Sequence, residues 1–251
     1  MTDRRILRLS GPDTRDFLQG LVTNDVRRLN EGPVYAALLT PQGKYMADFF
    51  LVAEGDDVLL DVAEPLGDMV QQRLSMYKLR SAVTIADARR HLHRGTGEAP
   101  ADGHPDPRHP GMGWRAYRET PQTGDATDWE ALRVANMVPE TGIELTPDTF
   151  ILEAGFERLR GVDFRKGCYV GQEVTARMKH KTELRKGLAP VRVEGAAPVG
   201  TALMAEGKPA GTLYTQSGGK GIAYLRFDRA TGPMQAEDAV VLRDDAAESA
   251  G

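Results

Sequence analysis

Cysteine is nearly absent: Cys168 is the only one in 251 residues. That excludes an internal disulfide framework and fits a reducing compartment. Long apolar runs are missing too, since no stretch approaches the roughly 20 apolar residues of a membrane-spanning helix. The N-terminus, M-T-D-R-R-I-L-R-L-S, starts charged and lacks the apolar centre of a signal peptide. The expectation is a cytoplasmic protein with no membrane contact. Neither sign of charge dominates, the formal net charge being −4 at pH 7. No global field therefore pulls the chain toward nucleic acid, and stable nucleic-acid binding is not expected. Gly-x-Gly pairs at Gly95/Gly97 and Gly111/Gly113 do not follow a strand and open a helix, so no phosphate-cradling loop is read. A Gly-x-Ser-x-Gly elbow is absent, as are internal repeats.

What is present is an α+β texture. Residues 4–9 read as a strand, and Ser10-Gly11-Pro12-Asp13 starts a helix that carries Phe17, Leu18 and Leu21 and ends at Thr23-Asn24-Asp25. Strands are expected at 34–39, 46–52, 58–62 and 82–85, with a turn at 41–44. Leu66, Met69, Val70, Leu74 and Tyr77 are spaced for one face of a helix over 66–79. The order β-α-β-β-β-α-β argues against a doubly wound parallel sheet. Residues 89–128 are so rich in Gly and Pro that they read as loop. A capped helix follows to about Asn136, and Phe150 to Leu159 reads as a buried helical face. Short β-like runs at 188–193, 201–205, 210–214, 221–227 and 239–242 suggest a small antiparallel barrel or sandwich. The acidic tail reads as frayed.

The lone thiol sits in K-G-C-Y-V-G-Q-E, Lys166 to Glu173. Arg165 and Lys166 bring positive charge that favours thiolate, and Gly167 and Gly171 bend the chain away from regular structure. Gln172 and Glu173 add an amide and a carboxylate able to fix the loop or accept a proton. These neighbours argue for a reactive cysteine over a buried structural one. Independent cysteine-protease chemistry needs a histidine base that the sequence does not place, His180 being the nearest. Four histidines, His91, His93, His104 and His109, lie in the Gly/Pro-rich segment without a carboxylate or thiol at ligand spacing, so no metal site is expected. Lys166, Arg177, Lys179, His180, Lys181, Arg185 and Lys186 form a local basic strip. It reads as a solvated face, or as a surface for an anion such as a polyglutamate tail, a phosphate or an RNA backbone. Trp129 and Arg133, four apart on a helix, share a face. They can stack a flat heteroaromatic ring and bond its edge, or simply pack in the core with the arginine snorkelling.

K-G-C-Y-V-G-Q-E resembles the signature of the YgfZ family, folate-binding relatives of the glycine cleavage T-protein. F-L-Q-G-L-V-T-N-D-V (17–26), L-T-P-Q-G-K-Y-M-A-D-F (39–49), Y-K-L-R-S-A-V-T-I (77–85) and G-V-D-F-R-K-G-C-Y-V-G-Q-E-V-T-A-R (161–177) extend the resemblance over nearly the whole chain outside 89–128. The resemblance implies a T-protein-like α+β ring of three domains around a central opening, closed by a C-terminal antiparallel β-barrel. The corresponding division is a folate-binding body at 1–183 made of two intertwined subdomains, a barrel at 184–245 and a frayed tail at 246–251. The implied cofactor is tetrahydrofolate or a one-carbon derivative. Its implied contacts are Trp129, Arg133, Asp25, Tyr77, Gly167, Tyr169, Gly171 and Gln172, with Arg4 standing where the family has a tryptophan. The implied role is assembly or repair of iron–sulfur clusters in client enzymes, including ones that modify tRNA, by a monomer working through Cys168, Lys166 and Glu173 with client proteins or assembly factors. Folate would lie near Trp129 with Cys168 facing the same opening. The alternative is one-carbon (aminomethyl) transfer on folate, for which Asp25, Asp48 or Asp61 could supply the carboxylate.

Overall fold

The computed structural model describes residues 3–180 and 184–245; Lys181 of the basic strip and the tail 246–251 lie outside the described residues. β1 (Arg4–Ser10), α1 (Thr14–Gln19), β2 (Val34–Leu39), β3 (Tyr45–Glu54), β4 (Asp57–Ala63), α2 (Gly67–Lys78) and β5 (Thr84–Asp87) follow in chain order. The five strands form one antiparallel sheet in the order β2-β3-β4-β1-β5. Side chains alternate across a strand, and here both faces are apolar. Leu38, Phe49, Leu51 and Leu60 turn to one side, where Leu18 of α1 and Val70 and Leu74 of α2 cover them. Tyr35, Ala37, Leu39 and Phe50 turn to the other, against Trp129, Ile151, Phe156 and Leu159. Two cores thus share one sheet.

The segment 89–128 is not a loop. β6 (His91–Gly95), β7 (His104–Pro105) and β8 (Trp114–Arg118) make a small antiparallel sheet in the order β6-β8-β7. α3 (Trp129–Ala135) follows, capped by the Asp128 side chain, which accepts from Ala131 N at 2.9 Å. The helix expected at 150–159 is instead a run of turns. Gly155 (φ +77°) and Arg160 (φ +55°) take left-handed backbone that interrupts any regular helix. The first helix ends at Gln19, earlier than expected, because Val22 and Thr23 leave it to pair with β2. Val22 bridges Leu38, and Thr23 N donates to Ala37 O at 3.1 Å.

α4 (Gln172–His180) precedes the C-terminal strands β9 (Lys186–Glu194), β10 (Thr201–Ala205), β11 (Lys208–Ser217), β12 (Lys220–Arg226), β13 (Met234–Ala236) and β14 (Ala239–Arg243). These close into a six-stranded antiparallel barrel, as expected. Its interior mixes small Ala189, Ala210, Ala223 and Ala239 with larger Leu203, Leu213 and Leu225, which lets a narrow barrel fill. The barrel is fastened to the body by Tyr224 Oη donating to Glu153 Oε2 at 2.7 Å and by Leu188 N donating to Glu153 O at 2.7 Å.

Gly11 holds the turn into α1 against the strand entering β5. Its φ is +117°, and a Cβ there would lie 2.1 Å from Ala82 O. Gly11→Ala is expected to cost about 3 kcal/mol, combining backbone strain with a clash that only a backbone shift relieves. Denaturant unfolding measures it, and an unchanged midpoint would contradict this packing.

Candidate functional site

The residues singled out by sequence fall into two places. The first is a small cavity between the five-stranded sheet and the sheet of β6–β8. Arg4, Asp48, Phe50, Arg94, Arg108, Arg115, Glu140 and Thr141 are among its walls, and it has room for about 30 Å³. Asp48, on β3, is buried and accepts three hydroxyls: Tyr45 Oη at 2.6 Å, Thr141 Oγ1 at 2.6 Å and Tyr35 Oη at 3.0 Å. Burial, reinforced by the Asp48 charge, pushes both tyrosines well above the ordinary phenol range, so they stay neutral donors.

Arginines crowd the opposite walls. Arg4 Nε donates to Asp61 Oδ1 at 2.6 Å. Burial works against its charge, but Asp61 and Asp48 hold the guanidinium above its usual value. Arg108 forks onto Asp106 at 3.0 and 2.8 Å. Arg115 lies between Asp61 (3.2 Å) and Asp106 (3.3 Å), its Cζ 3.3 Å from the Phe50 ring centroid. Phe50 thus has the guanidiniums of Arg4, Arg108 and Arg115 within 6 Å of its ring.

Trp129 is only 7% exposed and packs in the second core. Arg94 covers its ring at 4.3 Å, and its indole N–H donates to Asp125 Oδ2 at 2.5 Å. The edge-bonding role expected of Arg133 is corrected. It is 1% exposed and bound to Glu140 (3.0 Å), Glu144 (3.0 Å) and the Thr215 hydroxyl, and so ties α3 to the barrel instead of facing a ligand. Tyr77 lies outside this cavity, packed partly against the first core.

The second place is the cysteine loop. Thr23 Oγ1 donates to Gly161 O at 2.7 Å, Asn24 Nδ2 to Arg160 O at 2.6 Å, and Asp163 N to Thr23 O at 3.0 Å. The segment just before Asp25 and the segment before Cys168 are therefore stitched together. Asp25 caps the turn at 26–30, and the hydrogen bonds from Arg27 pull its carboxyl down to about 2. The support expected from Lys166 for the thiolate is corrected as well. The side chain is buried, 2% exposed, and its ammonium donates to Gln19 O (2.6 Å) and Val22 O (2.5 Å) where α1 ends. Burial pulls Lys166 down to about 8, although Asp25 and Asp163 oppose it.

Beyond the thiol, Tyr169 is buried in the second core. Gly171 takes φ +83° with no room for a side chain, a Cβ there lying 2.7 Å from Thr40 O. Between these anchors Gly167 and Cys168 are exposed, and a Cβ on Gly167 would meet nothing within 4 Å. Gln172 opens α4, and Glu173 is exposed in its first turn. The loop thus holds one thiol out from a rigid seat. Neither Cys168 nor Trp129 is among the residues lining the Asp48 cavity.

The cavity residues missed by sequence are chiefly Arg94, Arg108 and Arg115, together with Asp106. All lie in the segment read as loop. Their signal was the alternation in H-L-H-R-G and W-R-A-Y-R, which Gly and Pro on either side obscured.

Tetrahydrofolate was expected at Trp129 and Arg4. The chemistry there suits it in part, through a buried carboxylate and an aromatic face. The cavity lined by Arg4 holds only about 30 Å³, on the order of one water, and Trp129 is not among its walls. The outer face of Trp129 is taken by Arg94, and Arg4 is bound to Asp61. As packed, these residues do not fit the group.

Comparison with known proteins gives three findings. The family model described as "CAF17, C-terminal beta-barrel domain" matches residues 185–245. The chain is 31% identical over 281 residues to "Iron-sulfur cluster assembly factor IBA57, mitochondrial" of Mus musculus, covering 92% of this chain and 78% of that protein. It is 30% identical over 277 residues to the Homo sapiens protein of the same name, with the same coverages. Among solved structures, glycine cleavage system aminomethyltransferase T from Bartonella henselae superposes with a TM-score of 0.75 over 96% of this chain and 82% of that one, at 13% identity. The fold is therefore T-protein-like. Both relatives are named as mitochondrial proteins, and this overturns the cytoplasmic expectation drawn from the N-terminus.

The buried lysine gives a pH test. Below pH 8 both folded and unfolded chains carry its proton; between about 8 and 10.5 only the unfolded chain does. The unfolded state then binds more protons, so stability attributable to Lys166 rises with pH across that window, by up to about 3 kcal/mol. Urea unfolding of wild type and Lys166→Met at pH 7 and pH 10 should show this rise in the wild type relative to the variant. A pH-independent difference would contradict the burial.

Proposed function

The chain belongs to the IBA57 family of iron–sulfur cluster assembly factors, and from that premise we propose that it supports assembly or repair of clusters in client enzymes by presenting Cys168 to a cluster-bearing partner. The observation that carries this reading is the seat of the thiol. The only cysteine in the chain is exposed together with Gly167, while Lys166 and Tyr169, which bracket the pair, are buried. A structural cysteine would be buried; a thiol held out on an anchored loop is placed for a second molecule.

Thiolate is a soft ligand suited to iron in clusters, which are held by several such ligands. One thiol supplies one bond. Among the described residues no group of three or more His, Cys, Asp or Glu is placed to hold a metal ion. In this reading the remaining ligands come from the partner, and the cluster is shared or passed on. The thiol loses its proton as the iron bond forms, and Glu173, the exposed carboxylate of the same motif, accepts it. The buried ammonium of Lys166 is a positioning group, fixing where the loop leaves the body. The family resemblance extends the proposed clients to iron–sulfur enzymes that modify tRNA.

Replacing the cellular copy by Cys168→Ser tests the proposal. Activities of client iron–sulfur enzymes should fall toward those of cells lacking the protein, while the variant's melting temperature stays within about 1 °C of wild type, since an exposed side chain contributes little to stability. Normal client activities with the serine variant would sink the cysteine's role.

A further inference from the structure

Leu79 is the most exposed large apolar side chain among the described residues, at 88%, and it stands where the backbone calls for glycine. It follows α2 as the first central residue of a tight turn, closed by Ser81 N donating to Lys78 O at 2.8 Å. Its φ of +45° and ψ of −105° are those that a type II′ turn gives to glycine, and a side chain there adds strain. Met76, one helical turn earlier, is 61% exposed. Arg73, Lys78 and Arg80 flank the two apolar residues, and none of the three has an ion-pair partner among the described residues. The nearby carboxylate is already engaged, since Asp13 Oδ2 accepts from Ala82 N at 2.7 Å. Asp68, the only acid of α2, pairs with Arg5 at the far end of the helix. Leu79, Tyr77, Lys78, Arg80, Ser81 and Asp13 line one broad hollow.

The dipole of α2 accounts for cations at its C-terminal end, but nothing in the fold accounts for a leucine between them. Folding alone favours glycine here, because glycine takes this geometry freely and leaves no apolar side chain in water. We propose that the turn 78–81 is a docking knob for an acidic protein partner. Leu79 enters an apolar pocket of that partner, Met76 adds apolar contact, and Arg73, Lys78 and Arg80 pair with carboxylates around the pocket. Charge selects the partner's sign, since three unpaired cations stand here against one carboxylate already engaged. A protein fits this surface better than a membrane does. Two apolar side chains hold lipid weakly, because even a whole myristoyl chain binds only marginally. The hollow beside Leu79, by contrast, gives a partner's side chain a seat in return. The inference is independent of the reading of Cys168; only its cellular readout uses the family's role in cluster assembly.

Leu79→Gly separates docking from folding. The variant should melt at the wild-type temperature or up to about 3 °C above it, because the turn strain is relieved. Loss of one seated leucine weakens docking roughly tenfold or more. Client iron–sulfur enzyme activities at native expression should therefore drop, and overexpression of the variant should restore them by mass action. Lys78→Glu combined with Arg80→Glu should lower them in the same way. Unchanged client activities in both variants would overturn the proposal. So would a Leu79→Gly chain that melts well below wild type, since the leucine would then serve the fold. Photocrosslinking in the same cells from Leu79→p-benzoylphenylalanine, read by mass spectrometry, shows what the turn touches. The expected product is a protein peptide in which Asp and Glu outnumber Lys and Arg; the opposite balance, or no product, would overturn the proposal. Pelleting of wild type but not Leu79→Gly with phosphatidylcholine–phosphatidylserine vesicles would assign the turn to a membrane and overturn it as well. The same crosslink is expected in a Cys168→Ser background, so failure of the cysteine reading leaves this one to its own test.

Discussion

The guanidinium of Arg115 joins two sheets that would otherwise meet as apolar faces with buried carboxylates between them. It rises from β8 onto the ring of Phe50 in β3 and reaches Asp61 of β4 on one side and Asp106 on the other. Tyr117, two residues on, donates its hydroxyl to the same Asp61 oxygen, Oδ2, at 2.8 Å. Arg4 and Arg108 complete the pairing. Every charge in this lattice lies beside an opposite one, all buried except the partly exposed Arg4, so losing a buried member strands its partner. That costs about 3–5 kcal/mol, whereas the intact pairs are close to neutral in stability. The lattice therefore fixes the orientation of the sheets more than it strengthens the fold. It also fills the space between them. Arg115 Nε is left without a hydrogen-bond partner among the described residues, facing an aromatic ring.

The cysteine loop follows a different physical rule. It is organised by backbone hydrogen bonds and one buried lysine instead of paired charges. Lys166 satisfies carbonyls left open where α1 ends, Thr23 and Asn24 stitch the incoming strand, and Gly171 packs where no side chain fits. Rigidity on both sides of Gly167 and Cys168 costs a second molecule little ordering entropy when it meets the thiol. The T-protein-like body thus keeps its architecture while, in the reading proposed above, the site is changed to the thiol of a surface loop. Fold similarity at 13% identity is compatible with that change, because function resides in sites and not in the scaffold.

The strands of the main sheet were legible because runs such as Y-A-A-L-L and D-F-F-L-V are apolar on both faces and bounded by Gly and Pro. The barrel was legible from short, evenly spaced runs. What escaped was the sheet of β6–β8, whose strands are short and polar and whose register depends on Asp61 and Phe50, residues far away in sequence. The role of Arg133 escaped for the same reason. Its helical spacing from Trp129 was visible, but Glu140, Glu144 and Thr215 reach it only through tertiary packing. Lys166 looked like a partner for the neighbouring thiol, and only the end of α1, some 140 residues earlier, shows where its charge goes. Sequence neighbours argued against a buried Cys168, and the structure has it exposed; they did not identify what holds it there.

The central claim, that Cys168 holds iron–sulfur material together with a partner, is tested most directly by metal analysis. Affinity-tagged wild type and Cys168→Ser are purified without oxygen from the same cells, and iron and acid-labile sulfide are measured in each. The account predicts iron and sulfide in similar amounts, co-purifying with a bound partner, for wild type, and loss of both for Cys168→Ser. Equal retention by the two proteins would contradict it.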